Sequence, residues 1–145
     1  MSNNEFILKV VTPDGEVWRG QATSVVVPGL DGYFGIWANH MPLIAGMDVG
    51  VVMVKTPEEH VINLIAVAGG FVEVSRDEVL VLAESAELGE EIDVIRVDKA
   101  LTRARERLSE HFANIDIPRA EVALRRAMNR KRIAERAKQK PTAMV

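Results

Sequence analysis

The chain has 145 residues, 48% apolar and 27% charged, which is typical of a folded globular protein with one ordinary domain or two small units. It contains no cysteine, which excludes disulfide scaffolds, thiolate nucleophiles and cysteine-based metal sites and fits a reducing compartment. The net charge of −3 hides an asymmetry, because residues 1–90 hold 4 Lys/Arg against 13 Asp/Glu and residues 91–145 hold 14 against 8. The first part is therefore expected to repel polyanions and the second to attract them, with mutual attraction between the two parts as the simpler explanation.

The beginning of the chain has no basic segment followed by an apolar run, so no signal peptide is expected. The most apolar stretch, residues 61–74, is interrupted by Asn63, Gly69, Gly70 and Glu73. It is too short and too polar for a membrane span, which needs roughly 20 apolar residues. We expect no direct membrane insertion, and any membrane association is expected to go through a partner.

Residues 1–88 have the pattern of an all-β domain. Short β-branched and apolar runs alternate with Gly, Pro and Asp turn signals, for example at residues 12–15 (Thr-Pro-Asp-Gly). Residues 17–27 are interpreted as one kinked strand, and residues 43–47, 50–55, 59–67 and 70–74 as four separate strands. The pattern predicts an N-terminal antiparallel β-sandwich of about ten short strands.

Two loops in this domain have residue patterns that bear on function, one rich in glycine and one containing Pro42. Gly29, Gly32 and Gly35 follow at intervals of three, but the Gly-Lys-Ser/Thr ending of a phosphate-binding loop is missing, so tight turns are the expected reason. Residues 39–43 (Asn-His-Met-Pro-Leu) are predicted to form an exposed corner, because Pro42 disfavours helix at the residue before it.

From Asp93, which is predicted to be an N-cap, the apolar period changes to that of a helix. The apolar stripe of this first helix is Val97, Leu101, Ala104, Leu108 and Phe112. A second helix begins near Pro118, and its inner stripe is Ala120, Ala123, Ala127, Ala134 and Ala137, flanked by Leu124, Met128 and Ile133. The pattern predicts an antiparallel two-helix hairpin over residues 91–140, with a tail at 141–145.

The hairpin is expected to dock weakly, because an alanine stripe buries little apolar area. Residues 88–96 join the acidic sandwich to the basic hairpin, and we predict that this joint is a hinge. The hairpin should then be able to leave the sandwich and extend.

No catalytic constellation is evident. The histidines His40, His60 and His111 are far apart and lack metal-ligand spacing, so no metal site is expected. The serines Ser24, Ser75 and Ser85 are not in a nucleophile-elbow pattern. We therefore predict no catalytic residues.

The helical part does contain a candidate anion site. If the helices fold back on each other, the acidic residues Glu87 and Asp93 face a group of arginines suited to phosphate. The arginines are Arg96 and Arg103 on one face of the first helix and Arg126 and Arg130 on the second. A solvated, ion-paired helical face is the alternative that the pattern leaves open.

Several motifs occur in a defined order and spacing, namely residues 11–15 (VTPDG), 35–43 (GIWANHMPL), 69–74 (GGFVEV), 92–96 (IDVIR) and 115–130 (IDIPRAEVALRRAMNR). In these motifs the chain resembles a known family, the epsilon subunit of the F-type ATP synthase. The similarity extends over about residues 5–138.

The resemblance implies a non-catalytic rotor subunit of a proton- or sodium-translocating complex, peripheral on the cytoplasmic face of the inner (plasma) membrane. It implies that the sandwich binds the gamma subunit and the c-subunit ring. It further implies that the extended hairpin inhibits ATP hydrolysis by meeting acidic segments of the alpha and beta subunits. The basic residues that would make this contact are Arg125, Arg126, Arg130, Lys131, Arg132 and Arg136.

In several bacterial members of the family the folded hairpin binds ATP through the motif Ile/Leu-Asp-x-x-Arg-Ala. This chain has the motif at residues 92–97 but with Val97 in place of Ala, whose extra bulk would be brought toward the nucleotide. The resemblance implies ATP as a regulatory ligand that favours the folded hairpin, with no catalytic cofactor. The residues implied are Glu87, Asp93, Arg96, Arg126 and Arg130, with Arg103 in addition.

The resemblance also implies that the loops at Tyr33 and at His40, Met41 and Pro42 face the c ring. Tyr33 stands where the family often has an acidic residue, so charge pairing at this position is lost.

Two other classes of function remain open from the residues alone. A basic hairpin could bind nucleic acid or a polymerase, although aromatic residues are sparse and the sandwich is acidic. A hydrolase with an unrecognised carboxylate pair would turn over substrate as the pure chain, and we expect no such turnover and no nucleic-acid partner.

Overall fold

The computed structural model describes residues 4–58, 62–109 and 117–138 and contains a β-domain followed by two helices. The strands are β1 (Phe6–Thr12), β2 (Gly15–Ala22), β3 (Ser24–Gly29), β4 (Gly32–Trp37), β5 (Leu43–Lys55), β6 (Ile62–Val74), β7 (Glu78–Ala83) and β8 (Ala86–Leu88). A 3-10 turn at Gly89–Glu91 leads to α1 (Val94–Ser109) and α2 (Ile117–Lys138). The predicted sandwich-plus-hairpin fold is confirmed.

The strands pair in the order β2-β1-β7-β6-β5-β3-β4, and β8 pairs with β6. The prediction of a purely antiparallel domain is wrong at one place, because β1 and β7 run parallel. These strands are about 70 residues apart in the chain, so no local turn decides their direction.

The strand number is eight among the described residues, and the prediction of about ten short strands is corrected. Residues 43–55 form one 13-residue strand, as do residues 62–74, whereas the predicted kinked strand at residues 17–27 is two strands. Gly69 and Gly70 lie where the predicted strands 59–67 and 70–74 were separated, and both have positive φ angles, but β6 continues through them. Its first half therefore pairs with β8 and its second half with β7.

In the part of the chain that the structure describes, buried apolar side chains form two clusters. The first lies inside the β-domain and includes Leu8, Val27, Ile65 and Val72. The second lies between the outer side of the β-domain and the helices, where Val51 and Leu64 pack with hairpin residues. The hairpin residues in it are Ile92, Val97, Leu101, Ala127, Ile133 and Ala134. The hairpin therefore docks on a separate apolar surface of the β-domain.

The N-cap predicted for α1 is confirmed, because the Asp93 carboxylate accepts a hydrogen bond from the Arg96 backbone N–H at 3.2 Å. Val97, Leu101 and Ala104 are buried as predicted, and Phe112 lies outside the described residues. Pro118 is in the first turn of α2, as predicted.

The inner stripe predicted for α2 is only partly right. Ala120, Ala127 and Ala134 are buried, but Ala123 and Met128 are exposed, and Asn129 takes a buried position instead. The reason is that α2 packs against both α1 and the strands β5 and β6, so its buried surface is wider than one stripe and is rotated toward Asn129 and Ile133.

Candidate functional site

Two arginines on α2 form ion pairs with two carboxylates on the segment that follows β7. Arg130 donates from Nε and Nη2 to the Glu87 carboxylate at 3.0 and 2.6 Å. Arg126, one helical turn earlier, donates from Nη2 to the Glu84 carboxylate at 3.3 Å. The expected meeting of Glu87 with the arginines of the second helix therefore occurs, and Glu84 joins it.

A cavity of about 230 Å³ lies beside these pairs. The residues that line it are Ala66, Val67 and Ala68 of β6, Ser85, Ala86 and Glu87, and Arg126, Asn129 and Arg130 of α2. One wall is therefore small apolar strand residues and the other carries two guanidinium groups. Guanidinium groups bind phosphate through charge-assisted bonds. The volume is below the range of roughly 300–1,000 Å³ that holds complete small-molecule ligands.

Three of the six predicted nucleotide-binding residues line this cavity, namely Glu87, Arg126 and Arg130. The other three are on or beside α1. Asp93 caps the helix, Arg96 is exposed, and the Arg103 Nε donates to the Lys99 backbone carbonyl at 3.4 Å on an outward face. The structure therefore divides the predicted set into three residues at the cavity and three on or beside α1.

Val97 does not line the cavity. Its side chain is fully buried in the cluster that α1 and α2 form with Val51 and Leu64 of the β-domain. The bulk that Val97 adds relative to Ala therefore lies inside this cluster.

Asn129 is a functional candidate that the sequence pattern did not reveal. It is 4% exposed, and its Nδ2 donates to the backbone carbonyl of Gly50 at 2.8 Å. Its Oδ1 accepts from Arg132 at 3.1 Å. The sequence does show a polar residue close to Arg126 and Arg130 on α2. It could not show the hydrogen-bond partner of Asn129, because Gly50 is 79 residues away in the chain.

The basic residues predicted to contact alpha and beta subunits are largely engaged with groups of this same chain. Arg125 pairs with Asp48 at 3.3 Å, and Lys131 pairs with Asp98 of α1 at 3.1 Å. Together with the Glu84 and Glu87 pairs, these contacts join α2 to the β-domain and to α1. Arg136 is exposed in the last turn of α2.

The residues predicted to face the c ring are Tyr33, near the start of β4, and the corner at residues 39–42. Asn39 has a φ of 66°, which makes the sharp corner before β5, and Met41 is 79% exposed. Pro42 is exposed as well, while His40 is half-buried, with its Nδ1 2.7 Å from the Met41 carbonyl oxygen. Tyr33 is 51% exposed, and its hydroxyl accepts from the Val51 N–H at 3.1 Å.

The outer face of the β-domain also carries an exposed apolar patch. Phe71 pairs across the sheet with Gly46 on one side and with Leu82 on the other, and Leu30 lies against Gly46. The exposed side chains of this patch are Leu30, Ile44, Phe71 and Leu82. Exposed contiguous apolar residues of this kind mark interaction surfaces.

Within residues 4–58, 62–109 and 117–138, no group of three or more His, Asp or Glu side chains is arranged to hold a metal ion. His60 and His111 lie outside the described residues. Neither helix in this part of the chain is long and apolar enough to cross a membrane.

Comparison with known proteins identifies the family. Residues 5–89 match the β-sandwich domain of the ATP synthase delta/epsilon chain, and residues 90–135 match its long α-helix domain. The ATP synthase epsilon chain of Symbiobacterium thermophilum is 49% identical over 131 residues, covering 90% of this chain and 93% of the relative. That of Halalkalibacterium halodurans is 47% identical over 130 residues, covering 89% and 96%.

Solved structures share the fold. A chain of the mitochondrial ATP synthase of Euglena gracilis superposes with a TM-score of 0.74 at 21% identity, over 94% of this chain and 82% of that one. A chain of the Tetrahymena thermophila mitochondrial ATP synthase has a TM-score of 0.56 at 13% identity, over 94% and 98%. The chain therefore belongs to the delta/epsilon family of ATP synthase, whose members are non-catalytic subunits of that complex.

Proposed function

We propose that this chain is a regulatory rotor subunit that joins the gamma shaft to the c-subunit ring. Its relatives are ATP synthase epsilon chains, and the two solved structures of the same fold come from assemblies described as OSCP/F1/c-ring and central stalk/c-ring. Through the c ring the chain would be peripheral on the cytoplasmic face of the membrane.

The exposed surfaces support this placement. The corner formed by His40, Met41 and Pro42, together with Tyr33, is the surface we assign to the c ring. The patch around Phe71 is suited to a protein partner, because burial of its exposed side chains gives a favourable apolar contribution. We assign it to the gamma subunit.

The hairpin is the regulatory element of the proposal. In the folded state four basic side chains, Arg125, Arg126, Arg130 and Lys131, are paired with carboxylates of the same chain. This observation carries the proposal, because acidic segments of alpha and beta subunits offer the same chemistry in trans. The extended hairpin would exchange internal carboxylates for those of its partners and so inhibit ATP hydrolysis. Arg132 and Arg136 would join the same contact.

This pairing also weighs against the nucleic-acid alternative. A surface that binds nucleic acid presents unpaired cations to phosphates, whereas here the basic residues of α2 meet carboxylates. No nucleic-acid partner is proposed.

We further propose that ATP is a regulatory ligand of the folded hairpin. Arg126 and Arg130 would bind its phosphates in the cavity beside Glu87. Because a whole nucleotide exceeds about 230 Å³, its remaining groups would extend out of the cavity, and the family resemblance adds Asp93, Arg96 and Arg103, on or beside α1, as their contacts. ATP would shift the hairpin only by its higher affinity for the folded state.

Two measurements test the proposal. ATP hydrolysis by the assembled complex, with and without residues 91–145 of this chain, tests inhibition, and we expect faster hydrolysis after truncation. Calorimetry of the purified chain with millimolar ATP tests nucleotide binding. Unchanged hydrolysis would reject the inhibitory role, and the absence of heat would reject ATP binding alone.

A further inference from the structure

Glu84 differs from its neighbour Glu87 in how it holds an arginine. The Arg130–Glu87 pair is forked, and its side chains are 31% and 33% exposed. The Arg126–Glu84 pair has a single contact of 3.3 Å, and its side chains are 46% and 66% exposed. A longer, singly bonded and hydrated pair is the weaker one. Less free energy is therefore needed for an anion to displace the carboxylate from Arg126 than from Arg130.

The position of Glu84 is set by the backbone around the cavity. It lies between the end of β7 at Ala83 and the cavity-lining residue Ser85, whose carbonyl accepts from the Ala68 N–H at 3.1 Å. A Cβ on Gly69 would be only 3.1 Å from the Glu84 carboxylate. The Glu84 carboxylate therefore lies against Gly69 at the edge of the cavity. Its negative charge is close to the part of the cavity that Arg126 lines.

A carboxylate in this place has two effects on an anionic ligand. It occupies the hydrogen-bonding groups of Arg126 that a phosphate would use, and it repels the phosphate charge. If Glu84 only fastened α2 to the β-domain, its removal would loosen the folded hairpin and weaken ligand binding. The two roles therefore predict opposite changes in affinity.

We propose that Glu84 is an internal competitor for Arg126 and limits the affinity of the cavity for phosphate groups. The proposal depends on the nucleotide site proposed above and names a residue that sets its affinity. When a polyphosphate binds, Arg126 exchanges the Glu84 carboxylate for a phosphate oxygen, and the freed carboxylate turns to solvent.

The variant Glu84→Gln tests this, because it keeps the size of the side chain and removes the charge. Glu78→Gln is the matched control, since Glu78 is on β7 and pairs with Lys9 at 3.0 Å, away from the cavity residues. It makes the same change in net charge. Both variants and the unmodified chain are titrated with ATP and with inorganic pyrophosphate by calorimetry at low ionic strength.

We expect Glu84→Gln to bind ATP about 3- to 10-fold more tightly than the unmodified chain, and Glu78→Gln to change the affinity by less than about twofold. In an Arg126→Gln background the gain from Glu84→Gln should vanish. Equal or weaker binding by Glu84→Gln, with ATP binding to the unmodified chain intact, overturns the proposal. If none of the three chains binds ATP or pyrophosphate, the proposed nucleotide binding itself is rejected.

Discussion

Asn129 of α2 and Tyr33 of β4 form hydrogen bonds with the same peptide group, the one between Gly50 and Val51. The Asn129 amide donates to the Gly50 carbonyl at 2.8 Å, and the Tyr33 hydroxyl accepts from the Val51 N–H at 3.1 Å. The pairing of β3 with β5 is shifted opposite this part of β5, so side chains supply partners that the ladder does not. The proposed c-ring loop and the docked hairpin are thereby connected through one peptide.

The Asn129–Gly50 hydrogen bond should contribute strongly to docking. Asn129→Ala leaves the Gly50 carbonyl without this partner, and we expect the docked state to lose about 1–3 kcal/mol. Hydrogen exchange of the α2 amides in the free chain measures the loss. Met128→Ala is the control, because Met128 is 51% exposed and should change α2 protection little. Equal protection in both variants would contradict the role assigned to Asn129.

The two apolar clusters should respond separately to substitution. Leu64 and Ile65 are neighbours on opposite faces of β6, one in the hairpin-docking cluster and the other in the β-domain core. Each change to Ala should cost about 2–5 kcal/mol. Leu64→Ala should raise exchange mainly in α1 and α2, whereas Ile65→Ala should lower the thermal midpoint of the β-domain. If both variants raise hydrogen exchange at the same amides, the hairpin-docking cluster is not energetically separate from the β-domain core.

The ion pairs of α2 should differ in strength according to their geometry. The forked Arg130–Glu87 pair is the less exposed, whereas Arg125–Asp48 is a single contact of 3.3 Å with side chains 57% and 46% exposed. Double-mutant cycles with Gln and Asn replacements, measured without ATP, should give about 1–2 kcal/mol for the first pair and about 0.2–1 kcal/mol for the second. A larger coupling for Arg125–Asp48 would contradict this order.

Val97→Ala places the residue of the family ATP motif into this chain. Because Val97 is fully buried in the cluster that joins the two helices to Val51 and Leu64, we expect the change to weaken packing of the folded hairpin by about 1–2 kcal/mol. Calorimetry should then show ATP affinity that is unchanged or lower. A clear gain in affinity would instead indicate that Val97 crowds the nucleotide.

Much of the local structure could be predicted because its causes are local. Asp93 caps α1 through the N–H three residues later, and the threefold and fourfold spacing of Val97, Leu101 and Ala104 marks the buried side. The turn at Thr12 likewise follows from nearby residues, since the Thr12 hydroxyl accepts from the Asp14 N–H at 3.1 Å. The change from strands to helices after residue 88 was predictable for the same reason.

The candidate site itself was decided by tertiary structure. Arg126 meets Glu84 across 42 residues, Arg130 meets Glu87 across 43, and Asn129 meets Gly50 across 79. Periodicity indicates which side of α2 is polar, but it does not give the rotation of the helix against β5 and β6. That rotation is set by packing of Ile133 and Ala127 on Val51 and Leu64. The sequence by itself thus determined the elements, their caps and the charge of each part, whereas packing decided which carboxylate each arginine meets.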